Sequence, residues 1–360
     1  MPTSPIYDST RATLQRQLPD VRGSQVDTLA LLVVGVVQSV SAQIGKIARA
    51  LPLDTTHYSK EQRLRRFLDN PRVTQAEHYQ PLVRLALSGL QRQRVQLLID
   101  RVVLQDRQNI LVVSIGFRRR SIPLAWSVLP HLGKSSLAEQ QALFEQALSV
   151  LPPDVRITAH GDSEFRSWDL FEWLLTRGCH AMLGVYGNTF VRLNRHGPRQ
   201  ALHDWLPHRQ SMAFLQAVYL TEELHGPVNL IGWWVREADG KWMVRAVMTD
   251  LPATWQTYQW GSHRMWIETV FRDWQSGGFH LERSGVSEHE RFSRLLLVLA
   301  IAYLWLVCLG RWVVKKGYRR VIDDGSARAW HFSLFQLGVG WKQHVANYLR
   351  PIPVILYLYL

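Results

Sequence analysis

The chain has 360 residues, 47% of them apolar, enough to bury one or more sizeable cores and to exclude wholesale disorder. Lys and Arg number 42 against 29 Asp and Glu, a formal net charge of +13, which favours a polyanionic partner: nucleic acid or an anionic membrane. The two cysteines, Cys179 and Cys308, lie far apart in apolar surroundings, which argues against a disulfide framework or a thiolate metal site and for reduced core residues in a cytosolic protein; the N-terminus lacks the basic and apolar regions of a signal peptide.

Residues 1–90 read as helical. Val26 to Leu51 is apolar with small residues interspersed. Ser59, with Gln62 at the capping-box position, is expected to open a helix in which Leu64, Phe67 and Leu68 form an apolar stripe and Arg63, Arg65 and Arg66 a basic face. That face reads either as a DNA contact or as the solvated side of a packing helix.

From Val95 the pattern becomes β-like. Val95–Leu104, Ile110–Phe117 and Ser121–Leu129 are apolar, β-branched runs joined by short polar connections, the second being Arg118-Arg119-Arg120, and they predict an antiparallel meander. A helix over Ser136–Leu151 is ended by Pro152-Pro153, Val155–Ala159 is a short buried strand, Ser167–Arg177 a helix and His180–Val185 another strand. The order β-β-β-α-β-α-β-α is that of a ribonuclease-H-like α/β fold, a mixed sheet with flanking helices. In it Asp100 lies on the first strand and Asp162 just past the fourth, and those two strands are neighbours.

Residues 186–255 are punctuated by turn signals and predict a β-rich insertion, with Leu230–Arg236 and Trp242–Thr249 flanking Glu-Ala-Asp-Gly-Lys as a hairpin. Trp233 and Trp234 are adjacent and point to opposite faces of that strand. Helix resumes near His263 and runs past Gln275 to Gly277-Gly278. A long apolar helix follows from about Ser287. Its apolar run, Leu295–Gly310, is shorter than the roughly 18–20 residues a spanning helix needs, so it reads as a core helix and no membrane is expected. Lys315, Lys316, Arg319 and Arg320 follow it. The expected organisation is a helical DNA-binding region at 1–90, a catalytic core at 91–185 and 256–315 interrupted by the insertion 186–255, and a basic, apolar tail at 316–360.

Three carboxylates distant in sequence but convergent in space can hold two divalent ions, which clamp the attacking and leaving oxygens of a phosphoryl transfer. Asp100 sits in an apolar strand, where an acid needs a partner. Asp162 could instead shape its turn, and Glu164 competes with it as a ligand. Glu268 lies four residues from both Arg264 and Arg272, which on a helix places all three on one face, for phosphate contact or as an ordinary ion-pair ladder.

These motifs resemble the DDE transposases of bacterial insertion sequences, in the class with the signature Y-x2-R-x3-E-x6-K. The resemblance runs through Arg65-Arg66-Phe67-Leu68-Asp69-Asn70, Leu98-Ile99-Asp100, Gly161-Asp162-Ser163 and Ile267-Glu268-Thr-Val-Phe271-Arg272-Asp273-Trp-Gln275-Ser276-Gly277. It implies that Asp100, Asp162 and Glu268 are the catalytic acids and hold two Mg²⁺ (or Mn²⁺) ions. Arg264 takes the place of the signature arginine. Gly261 and Gln275 stand where the family has tyrosine and lysine, with Tyr258 nearby but out of register. The resemblance further implies cut-and-paste transposition on double-stranded DNA, a homodimer bridging two transposon ends, and a place on the bacterial nucleoid. Its expected DNA contacts are Arg264, Arg272, Gln275, Arg63, Arg65, Arg66 and Arg118 to Arg120, with one of Trp233 and Trp234 stacking on a base. The alternative is an inactive, transposon-derived DNA-binding protein.

Overall fold

The computed structural model describes residues 4–237, 239–325, 330–348 and 350–358. Helices α1 (Pro5–Gln17), α2 (Gly23–Ser39), α3 (Ile44–Ala50), α4 (His57–Leu68), α5 (Gln75–His78) and α6 (Gln80–Leu87) open the chain. Helix α2 is apolar on every side from Leu29 to Val37 and is buried accordingly.

Helix α4 starts earlier than the capping box around Ser59 predicts. Thr56 is the cap, its hydroxyl accepting the Ser59 N–H at 3.2 Å. His57 and Glu61 meet at 3.0 Å across the new first turn. The earlier hydroxyl captures a free N–H of the first turn, and the His–Glu pair supports the three added helical residues, His57 to Ser59. Thr56→Ala is therefore expected to lower stability by about 1 kcal/mol, and Ser59→Ala by clearly less, in urea unfolding.

The strands β1 (Arg94–Leu104), β2 (Gln108–Phe117) and β3 (Arg120–Leu129) form the expected meander. The β1–β2 connection is three residues long, Gln105-Asp106-Arg107, with positive φ at the first two, and the β2–β3 turn is the two-residue Arg118-Arg119 with positive φ at both, the geometry that matches strand twist. Helix α7 (Leu137–Leu148) begins at a complete capping box of Ser136 and Glu139. Strand β4 (Arg156–Gly161), helix α8 (Trp168–Thr176) and strand β5 (His180–Tyr186) follow, with β4 parallel to both β1 and β5.

The strands β6 (Phe190–Arg192), β7 (Gln200–Ala201), β8 (Met212–Leu220), β9 (His225–Arg236) and β10 (Trp242–Thr249) extend this same sheet, because β10 pairs antiparallel with β5. The result is a mixed ten-stranded sheet in the order β3-β2-β1-β4-β5-β10-β9-β8-β6-β7, with flanking helices. The β9–β10 hairpin forms as expected; Ala238 in its connection lies outside the described residues.

After α9 (Trp255–Gly261), residues Ser262–Trp266 make a 3₁₀ segment and α10 covers Ile267–Trp274. Helix α11 (His289–Lys315) has 27 residues, longer than its apolar run. It is long and apolar enough to cross a membrane, yet 89% of its most apolar stretch is buried inside the protein. It packs on α2, β3 and α12 (Leu334–Asn347). A Cβ on Gly310 would stand 1.9 Å from the Leu334 carbonyl oxygen, and one on Gly338 2.0 Å from that of Leu306. Only glycine at both crossings lets the two backbones touch. The tail beyond residue 316 contains positions 326–329, 349 and 359–360, which lie outside the described residues.

Candidate active site

The register of β1 on β4 sets the site. Leu98 stands opposite His160 in the parallel ladder. Two residues on from that pair come Asp100, on the Leu98 face of β1 by the two-residue alternation, and Asp162, just past the end of β4. Asp162 has left the strand and caps a short 3₁₀ turn, its Oδ1 accepting the Glu164 N–H at 2.8 Å. Strand β5 passes directly beneath: a Cβ on Gly184 would lie 2.7 Å from the Ser163 nitrogen and 2.8 Å from the Asp162 carbonyl carbon. Glycine there lets the acid sit down on the sheet.

The third acid arrives from α10. The preceding 3₁₀ segment is pinned to β1 by a 2.6 Å contact between the Gln96 amide and His263 Nδ1. His263 in turn stacks on Trp266, the ring centroids 4.1 Å apart, and Trp266 lies over Gly116 of β2. Glu268 is exposed in the first turn of α10.

The arrangement of Arg264, Glu268 and Arg272 differs from the expected helical face. Arg264 lies in the 3₁₀ segment, outside α10, and its guanidinium faces Asp100 at 3.7 Å. Among the described residues no ion pair joins Glu268 to Arg264 or Arg272, so the ladder reading does not hold. The reason is local: the 3₁₀ turn rotates Arg264 off the Glu268 stripe and toward the buried acid on β1.

Asp100 is only 18% exposed, and burial raises its pKa from 3.8 to about 6. The Arg101 N–H, donating at 2.7 Å, and the Arg264 charge oppose this, whereas the Asp162 and Glu268 charges push it further up. Carboxylates this close oppose one another's ionisation. For an acid whose folded pKa exceeds its unfolded one, stability is greatest below pH 4 and declines as pH rises from about 4 through 6. At pH 7 that amounts to about 3 kcal/mol at most, at ~1.4 kcal/mol per unit. Buried Asp273, also pushed to about 6, titrates in the same window. The informative measurement is thus the difference in thermal stability between wild type and Asp100→Asn. It is expected to open between pH 4 and 6 without divalent ions and to close when Mg²⁺ is added at pH 7.

A two-ion set would draw on Asp100, Asp162 and Glu268 as its carboxylate ligands and would supply positive charge to the attacking and leaving oxygens; among the described residues these three do not bring ligand atoms within 4.8 Å of one another. Glu164 drops out as a competitor, because Arg101 engages its two oxygens at 2.7 and 2.8 Å. Among the described residues the group whose ligand atoms do lie within 4.8 Å of one another is Asp323, Asp324 and His331. Asp323 there accepts N–H bonds from Gly325, His331 and Phe332 and faces Arg319 at 3.3 Å, so it organises its loop.

A cleft of about 810 Å³ opens beside Asp162, lined also by His160, Arg264, Tyr258 and Trp233 among others, with neither Asp100 nor Glu268 in its lining. His160 was not singled out in the sequence. It is 1% exposed, its Nε2 has no hydrogen-bond partner, and burial drives its pKa down to about 3. Trp233 meets Tyr258 edge-on at 5.1 Å in this wall, while Trp234 turns away and donates to the Leu206 carbonyl at 3.1 Å. Tyr258, out of register in the linear signature, is brought to the cleft by the turn of α9.

Arg63, Arg65, Arg66, Arg118, Arg119 and Arg272 are exposed, and Gln275 caps the far end of α10. Arg120 corrects the expectation of a three-arginine turn. It begins β3, is buried, and forms an ion pair with Asp273 beside Tyr303. A two-residue I′-like turn exposes two side chains, and the third returns to the strand.

Residues 140–305, a little under half of the chain, match the family described as "Transposase DDE domain". That span contains Asp162 and Glu268 and stops short of Asp100. Among solved structures the chain is similar to a piggyBac transposase synaptic complex with hairpin DNA, at 9% identity over 96% of this chain and 79% of that one, with a TM-score of 0.43. It is also similar to Marinitoga piezophila Argonaute in complex with 5′ OH guide RNA and target DNA, at 10% identity over 62% of this chain and 34% of that one, with a TM-score of 0.26. No protein of curated function matches it. Residues 140–305 are thus similar to the transposase DDE domain, and the resemblance to DDE transposases read from the motifs around Asp162 and Glu268 is borne out over that span.

Proposed function

We propose that this protein is a metal-dependent DNA transposase of cut-and-paste type, built on a ribonuclease-H-like core with Asp100, Asp162 and Glu268 as its acids. The observation that carries this reading is the buried Asp100, flanked on the β1–β4 register by Asp162 and reached by the field of Glu268. Asp100, Asp162 and Glu268 would hold two Mg²⁺ or Mn²⁺ ions, whose charge would lower the pKa of the attacking hydroxyl and stabilise the leaving oxygen. The three carboxylates fix the position of the phosphodiester. Water attacks phosphorus at the element end and expels a 3′ hydroxyl. That hydroxyl then attacks a target phosphodiester, joining the strands and releasing a target 3′ hydroxyl.

Arg264, Arg272 and Gln275 serve the DNA near the acids, and Trp233 offers the stacking face. Arg63, Arg65, Arg66, Arg118 and Arg119 supply phosphate contacts. We assign residues 1–90 to DNA binding, 91–185 and 256–315 to the core, 186–255 to the insertion and 316–360 to a tail. A homodimer acting on the bacterial nucleoid completes the reading.

The test is incubation with a labelled fragment ending in the element's terminal repeat. Divalent-dependent nicking and strand transfer are expected, with binding that falls on a log–log salt plot by about 0.9 per phosphate neutralised. Gln275 in place of a signature lysine favours the second reading, a DNA-binding protein without catalysis. Specific binding with no cleavage in Mg²⁺ or Mn²⁺ would establish that reading instead.

A further inference from the structure

Arg264 occupies an unusual position for a residue expected to grip DNA. Its guanidinium is 19% exposed and directed at Asp100, whose side chain is 18% exposed. The neighbouring cation, Arg101, is engaged by Glu164 at 2.7 and 2.8 Å and by the Asn109 side-chain oxygen at 3.0 Å. Arg264 therefore neutralises the cluster. An ion entering beside Asp100 meets that positive charge and must displace it.

The displaced guanidinium needs an acceptor, since leaving it unpaired in a partly buried cleft is costly. His160 is placed to supply one. It lines the same cleft, Arg264 is close enough for its charge to act on the ring, and Nε2 is a fully buried polar atom without a partner. Gln96 Oε1, two residues before Leu98 on the facing strand, is also buried and unpartnered. Two buried polar atoms on the adjacent strands β1 and β4, Gln96 Oε1 and His160 Nε2, thus have incomplete hydrogen bonding in the arrangement seen.

We propose that Arg264 is a displaceable counter-ion of the carboxylate cluster, exchanging from Asp100 to His160 Nε2 when divalent ions bind, with His160 as a positioning residue. The proposal rests on the metal-site reading above and deepens it. It makes the site self-neutralising in two states: arginine holds the acids together before ions arrive, and an imidazole holds the arginine afterwards.

Isothermal calorimetry with Mn²⁺ alone, on the full chain without DNA, tests it. Arg264→Gln is expected to bind Mn²⁺ more tightly by roughly tenfold, the scale on which one adjacent opposite charge competes at a carboxylate. His160→Phe is expected to weaken binding several-fold, about three- to tenfold. In the double variant the His160 effect should vanish, since no guanidinium remains to be rehoused. Circular dichroism melts establish that each variant is folded. If His160→Phe misfolds, His160→Gln, which retains an acceptor, should keep wild-type affinity. Equal weakening by His160→Phe with and without Arg264, or weaker binding in Arg264→Gln, would overturn the exchange while leaving the metal site standing. Failure of the wild type to bind Mn²⁺ would remove the metal reading and the exchange together.

Discussion

Asp100→Asn, Asp162→Asn and Glu268→Gln are each expected to lower DNA cleavage by about 10³-fold or more, the scale of removing one preorganised electrostatic contributor. Any two together should lose little more than one alone, because groups that act as a unit are not additive. The stability outcome separates this prediction from simple damage. Asp100 is destabilising when charged in the metal-free protein, so its amide should be as stable as wild type or more so at pH 7. Cleavage assays paired with urea unfolding check both halves. Near-normal cleavage in any of the three would remove that acid from the proposed centre.

The largest expected stability effect lies one turn beyond Glu268. Arg120 and Asp273 form a buried ion pair, 6% and 3% exposed in their side chains, that ties α10 to the start of β3. Tyr303 of α11 stands beside the pair, its hydroxyl donating to the Ser121 carbonyl at 3.2 Å. Arg120→Met removes one charge and strands the other. The expected cost is about 3–5 kcal/mol, read by chemical denaturation. The paired replacement Arg120→Met with Asp273→Leu should recover most of it, since an apolar pair carries no desolvation penalty. Cleavage should also suffer in the single variant, because the pair anchors the helix that presents Glu268.

Much of this arrangement was legible in the sequence. The meander, α7, α8 and the β9–β10 hairpin follow from β-branched apolar runs, helical apolar spacing and turn residues, all local signals. The adjacency of Asp100 and Asp162 followed from strand order. Other features depended on tertiary contact. Arg264 looked like a helix-face partner of Glu268 because a 3₁₀ turn leaves no sequence mark distinct from an α-helix. Arg120 looked exposed because three arginines in a row read as a turn, whereas the partner that buries it, Asp273, is 153 residues away. His160 passed unnoticed because a lone histidine gains meaning only from an unpaired nitrogen. A clue was present in the strand itself, where His160 precedes Asp162 by two.

The glycine-mediated seating of α12 against α11 bears on how the chain reaches this state. On a ribosome, residues 289–315 emerge before 334–347, so the greasiest segment waits, half-covered, for the last helix to arrive. During that interval it has the length and oiliness that a lipid bilayer or a chaperone would accept. A bulky side chain at Gly310 or Gly338 would prolong the wait, and its damage would surface as lost yield of soluble protein before any fault in DNA chemistry could be measured.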